Sequence, residues 1–78
     1  MHMKYIVVNQ NGIRIPVLFG DALNHCDVAF QVQLQVLSAG FVQILDGQVR
    51  TYGKSVSLNL VPNLQDEELI TATLNPDW

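Results

Sequence analysis

Gln31-Val32-Gln33-Leu34-Gln35-Val36-Leu37-Ser38-Ala39-Gly40-Phe41-Val42-Gln43-Ile44-Leu45 is the stretch on which the fold turns. Its first six residues alternate glutamine with Val32, Leu34 and Val36, the period of a half-buried strand. Val42 and Ile44 keep the parity, so the spacing predicts one long strand running through Ser38-Ala39-Gly40 without changing faces. The other face turns apolar at Leu37, Ala39, Phe41 and Leu45, which asks for cover on both sides, as in the centre of a sheet. The uncharged run Gln31–Leu37 would be an aggregation hazard as a free edge, and pairing with a second copy or cover by a loop would remove it.

Two hairpin signals flank this stretch. Asn11-Gly12 separates Tyr5–Val8 from Ile13–Phe19, and Asp46-Gly47 follows Leu45 directly. Both dipeptides suit a type I′ turn, which needs positive φ at both central residues. The first turn sets Gln10 against Ile13, Val8 against Ile15 and Ile6 against Val17. Ile6, Val8, Ile13, Ile15 and Val17 then form one face, with Tyr5, Val7, Arg14, Pro16 and Leu18 on the other. Pro16 lacks an N–H, so its strand belongs at an edge or a bulge. The second turn sets Leu45 against Gln48, Ile44 against Val49 and Phe41 against Tyr52; continued, it brings Gly40 opposite Gly53 and Ser38 opposite Ser55. Val56, Leu58 and Leu60 resume the alternation with changed parity, so a bulge is expected near Gly53.

Asp21 is placed to cap a short helix through Ala22–His25, with Cys26–Phe30 leading back into the glutamine-rich strand. After Pro62 the pattern becomes helical. Asn63 serves as N-cap, Asp66, Glu67 and Glu68 lie at the positive end of the helix dipole, and Leu69, Ile70, Thr73 and Leu74 share the face turned to the sheet. Asn75-Pro76 ends that helix, and Trp78 reads as an anchor in a groove. The chain is therefore a single α+β domain over residues 1–78, ordered β-β-α-β-β-α. Two β-hairpins form a mainly antiparallel four-stranded sheet with a short helix and a C-terminal helix, both helices on one face.

A chain of 78 residues hides only about 60% of its unfolded surface, so 49% apolar content with 14% charge is generous. Either the core is rich or part of that surface is buried in a partner, and a homo-oligomer is the expectation. The net charge of −3 is uneven: residues 62–78 carry four acids and no base (−4), and residues 1–61 four bases and three acids (+1). The four bases are scattered, which argues against nucleic-acid binding. Cys26 is alone, so no intramolecular disulfide is possible and the redox compartment is left open. A small disulfide-free domain is expected in the cytoplasm, and no apolar run approaches the ~18 residues of a membrane span nor is a signal peptide visible. Met1-His2-Met3 reads as a cloning remnant ahead of a natural start at Met3.

His25-Cys26-Asp27 holds the residue types of a thiol nucleophile with its base and orienter. Adjacent residues rarely face one another, however, so Cys26 reads as a packing residue and His25 as a cap or surface residue, with no catalytic residues assigned. Two histidines and one cysteine fall short of a zinc site, and neither a metal nor another cofactor is expected. Asp66-Glu67-Glu68 reads as a solvated first helical turn. The facing glycines make a thin saddle in the sheet. Ser38, Gly40, Phe41, Tyr52, Gly53, Lys54 and Ser55 form the candidate binding surface, for a protein partner or for an anion held by Lys54 and backbone N–H groups.

Met3-Lys4-Tyr5-Ile6, Pro16-Val17-Leu18-Phe19, His25-x-x-Val28-Ala29, Ser38-Ala39-Gly40-Phe41, Gly53-x-Ser55-x-Ser57-Leu58 and Asp66-x-x-Leu69-Ile70 together resemble a set of small phage- and prophage-encoded proteins of unknown function. That set leads into its last helix with Ser-Arg-Pro-Glu-Asp. Here the segment is Pro62-Asn63-Leu64-Gln65-Asp66, so only Asp66 matches and no role of a serine cap or an arginine carries over. The resemblance implies a viral or mobile-element origin and an accessory role inside a bacterial host. The expectation is a non-enzymatic protein that binds a host or phage protein or associates with itself. The alternatives are a module that sequesters an anionic metabolite and, last, a thiol enzyme using Cys26 and His25.

Overall fold

The computed structural model describes residues 1–74; the helix stop at Asn75-Pro76 and the Trp78 anchor lie outside the described residues. The middle of the first strand, β1 (His2–Gln10), is the run Tyr5-Ile6-Val7-Val8, apolar on both faces. All four residues are buried, which requires neighbours on both edges and cover on both faces. β1 accordingly lies inside a four-stranded antiparallel sheet, between β2 (Ile13–Phe19) and β3 (Gln35–Leu45), with β4 (Gln48–Tyr52) outside β3.

Both hairpins form in the expected register. Asn11 and Gly12 have φ of 54° and 85°, Asp46 and Gly47 of 52° and 78°. Ile6 faces Val17 across the first turn, and Phe41 faces Tyr52 across the second. Pro16 sits on β2, an edge strand, where its missing donor costs the ladder nothing. Met1 and His2, read as a remnant, take part in the sheet: the Met1 amino group donates to the Ile44 carbonyl at 3.0 Å, and His2 faces Gln43.

The glutamine-rich half-strand does not form as expected. The helix α1 spans His25–Val32, Gln33 turns left-handed at φ 59° with its N–H on the Ala29 carbonyl, and β3 begins only at Gln35. The apolar residues at 32, 34 and 36 fit two structures at once. Val32 also continues the helical stripe Val28-Ala29-Val32, which packs on Ile6, Val8, Phe19 and Ala39. Asp21 lies in a turn, and Asn24 rather than Asp21 holds the N-cap position. The long strand changes faces as well. Val7 pairs with Ser38 but Val8 with Val36, leaving Leu37 as the extra residue of a bulge. Val36 therefore joins the core under α1, while Val42 and Ile44 join the opposite one.

The second helix, α2 (Asp66–Leu74), covers that opposite face. Ile70 and Leu69 pack with Tyr5, Val7, Val42 and Val49, so the helices lie on opposite faces of the sheet, not on one. The expected cap is present as a reciprocal box: Asn63 Oδ1 accepts the Gln65 N–H at 2.9 Å, and Asp66 Oδ2 accepts the Asn63 N–H at 2.8 Å. Thr73 and Leu74 remain exposed, and Asp66 takes their place on the buried face.

Residues 53–60 do not resume a strand. Gly53, at φ 72°, ends the ladder, and Ser55 and Leu60 then bridge each other at the base of a tight loop. The chain returns beside β3, where the Val61 carbonyl accepts the Ala39 N–H at 3.4 Å. The sequence alternation at Val56, Leu58 and Leu60 thus belongs to a loop that tucks Leu58 and Leu60 under α1 and leaves Val56 80% exposed.

Candidate functional site

The in-register strands lay a row of side chains across the α1 face of the sheet: Phe19, Lys4, Phe41 and Tyr52, one from each strand. Phe41 and Tyr52 stack at 5.6 Å between centroids and 23° between planes. Lys4 Nζ lies 5.9 Å from the Phe41 centroid, within reach of a cation–π attraction, and donates to the Leu23 carbonyl at 2.8 Å. His25 stands edge-on against both Phe19 and Phe41 at 5.5 and 5.6 Å. Its Nε2 lies 2.7 Å from the Gly40 carbonyl; a carbonyl only accepts, so Nε2 carries the proton. At 5% exposure His25 is a buried pin between α1 and β3, not the cap or surface residue expected.

Around Phe41 opens a concavity of about 450 Å³, walled by Lys4, the Asn24-His25-Cys26 start of α1, and Lys54, Val56 and Ser57 of the loop after β4. Among the described residues no carboxylate lines it. Cys26 is exposed on its rim, not packed inside, with Sγ 3.9 Å from Asp27 Oδ1. The His25 ring is buried between Phe19 and Phe41 with its Nε2 proton on the Gly40 carbonyl, whereas the Cys26 thiol stands at the exposed rim. Among the described residues no three His, Cys, Asp or Glu side chains gather as a metal site, and no helix is long and apolar enough to cross a membrane.

The seven residues expected to share a saddle divide. Phe41, Tyr52, Gly53 and Lys54 stay together, Phe41 lying so close over Gly53 that a Cβ there would meet its ring at 2.9 Å. Ser38, Gly40 and Ser55 leave the surface. A Cβ on Gly40 would stand 2.7 Å from Pro62 Cγ and 3.0 Å from the Tyr52 carbonyl oxygen, so the thin spot is filled by Pro62. Ser38 is buried on the α2 face, and Ser55 is buried with its Oγ accepting the Leu58 N–H at 3.2 Å. The ladder stops at Tyr52, so Gly40–Gly53 and Ser38–Ser55 never become cross-strand pairs. Sequence reasoning missed Lys4, Asn24 and Cys26 as groove residues. Lys4 meets Phe41 only through the β1–β3 pairing, and neither hairpin signal specifies that pairing.

The opposite face carries a second polar anchor. Asp66 is 3% exposed, contrary to its reading as a solvated acid, and accepts the Tyr5 hydroxyl at 2.6 Å. Burial first, and then the hydrogen bond to Asp66, push the Tyr5 phenol far above its ordinary range. Glu67 Oε2 accepts the Thr51 N–H at 2.8 Å, occupying a backbone donor of the outer strand β4. Among family models, curated proteins and solved structures, nothing matches this chain.

Proposed function

We propose that this chain is a non-enzymatic accessory protein of phage or prophage origin that works in the bacterial cytoplasm by binding an acidic segment of a partner protein. The segment lies in the groove between Lys4 and Lys54, with Phe41, Tyr52 and Val56 as its apolar contacts. One observation carries this reading: two of the four basic residues of an acidic chain converge on an aromatic platform, with no carboxylate among the described residues of its wall. Partner surfaces commonly combine aromatic anchors with a charged rim. Accessory character and origin rest on the resemblance of the short motifs.

Partner captured from host lysate should stay bound to the native chain, fall away as salt is raised, and be lost by Lys4→Glu/Lys54→Glu. Retention by that double variant overturns the reading. Sedimentation separates the partners: a concentration-dependent dimer lost by the same variant makes the occupant a second copy, the homo-oligomer expected from composition.

The groove's volume favours a second reading, since about 450 Å³ lies within the range of small-ligand pockets, ~300–1,000 Å³. An anionic metabolite would then sit between the lysines. Thermal melts against nucleotides and phosphorylated metabolites would rise by several degrees on that reading, because a ligand of the native state alone adds stability. A flat response across the panel removes it.

A further inference from the structure

The two helices cover the β3–β4 ribbon unequally. α2 lies on one face of it, where Val42 is fully buried and Val49 nearly so. On the reverse, α1 packs against Ile6, Val8, Phe19 and Ala39, and reaches the ribbon at its Gly40 end, where His25 meets Phe41. Further along that face Leu45 is 60% exposed, Tyr52 is 42% exposed, and Arg50 stands exposed between their rows. Register fixes what the open face presents. Phe41 pairs with Tyr52, Gln43 with Arg50 and Leu45 with Gln48, three successive rows of side chains on one side of the sheet. The Lys4–Lys54 groove adjoins the first row, since Phe41 is part of its wall. Arg50 flanks that row on the other side, one pleat repeat from Tyr52.

Charge and spacing together select the occupant. Lys4, Lys54 and Arg50 are three of the chain's four bases and share this face, whereas the fourth, Arg14, bonds Gln65 on the α2 side. Same-face side chains of an extended segment repeat every ~6.8 Å, the period that also separates Tyr52 from Arg50 beneath it. Two carboxylates with one apolar residue between them on that face therefore meet the groove lysines, the Phe41–Tyr52 platform and Arg50 in turn. Asp46 lines the depression of about 120 Å³ around Arg50, together with Gln43, Leu45 and Gln48. A third acid one repeat further on would face that carboxylate, so the charged stretch ends at Arg50. We infer that the partner segment is an extended acid-x-apolar-x-acid sequence lying along β4. One carboxylate sits between Lys4 and Lys54, the apolar side chain on Phe41 and Tyr52, and the second carboxylate on Arg50. This rests on the acidic-partner reading of the groove and adds to it the conformation, the spacing and a second anchor.

The test is an NMR titration of the native chain with two end-capped peptides of equal composition and charge. Glu-Ser-Phe-Ser-Glu has the inferred spacing, and Glu-Glu-Phe-Ser-Ser does not. The spaced peptide should bind about fivefold more tightly at low salt, the weight of one exposed ion pair, and should shift the Arg50 and Tyr52 signals as well as those of the groove. Arg50→Ala, on an exposed side chain, should erase the difference and leave the affinity of the clustered peptide unchanged, while Arg50→Lys restores most of it. Lys4→Glu/Lys54→Glu should abolish binding of both. Equal affinity of the two peptides for the native chain, a preference that survives Arg50→Ala, or binding of neither peptide overturns the inference. In each of those cases the groove reading stands if the partner taken from lysate is still released by Lys4→Glu/Lys54→Glu, and falls separately if it is not. A single-stranded oligothymidylate that binds more tightly than the spaced peptide, and is weakened by Arg50→Ala, assigns the face to nucleic acid and overturns both.

Discussion

Each helix is pinned to the sheet at its first turn by one buried polar side chain, and the two pins differ in kind. On one face His25 gives a single hydrogen bond to the Gly40 carbonyl and spends the rest of its surface on Phe19 and Phe41. On the other, one oxygen of Asp66 closes the α2 capping box and takes the Tyr5 hydroxyl. The first pin is mostly packing with a polar tip, the second mostly hydrogen bonds to an acid. The two faces meet at Gly40, whose carbonyl receives His25 on one side and whose missing Cβ admits Pro62 on the other. The difference teaches that similar burial of a polar residue does not mean similar dependence on it. What is lost on truncation is set by how many buried partners are left unsatisfied.

Asp66→Ala should therefore do the most damage. It strands the Tyr5 hydroxyl and an α2 cap at once, a loss of about 3 kcal/mol in urea unfolding. Gly40→Ala should come next at about 2 kcal/mol, since a backbone carbonyl and a proline ring must both shift to admit the methyl group. His25→Ala should cost somewhat less, about 1.5 kcal/mol, or a drop of roughly 6–12 °C in melting temperature for a domain of this size. If His25→Ala proves as damaging as Asp66→Ala, the contrast between the pins is wrong.

The gentlest effect is silent at neutral pH. Tyr5 has its pKa raised in the folded state, so the stability it contributes is fully present below the unfolded phenol value near pH 10 and is lost as pH rises above it. Native stability followed by tryptophan-independent circular dichroism should decline above about pH 10, and Tyr5→Phe should flatten that decline while lowering stability at neutral pH. An alkaline limb that survives Tyr5→Phe unchanged would place the titrating group elsewhere.

The turns were legible because their chemistry is local. Asn11-Gly12 and Asp46-Gly47 take the positive φ that few other pairs tolerate, and the facing residues follow by counting. The α2 cap was legible for the same reason. Residues 31–34 were not, because Val32 satisfies a period of two and a period of 3.6 together, and only the apolar surface of Ile6, Val8 and Ala39 selects the helix. The candidate site was half legible. Phe41 and Tyr52 face each other across a turn the sequence names, whereas Lys4 joins them from a strand that no local signal attaches to β3.

The sequence by itself determined where the chain reverses, which residues sit opposite within each hairpin, and how α2 begins, since these depend on dihedral preference and on neighbours a few residues apart. The tertiary structure alone decided that β1 runs beside β3, that a bulge at Leu37 turns Val36 and Val42 to different faces, and that His25, Ser38 and Asp66 go inside. Those outcomes minimise exposed apolar area and unpaired polar groups over the whole chain, and no window of sequence contains that sum.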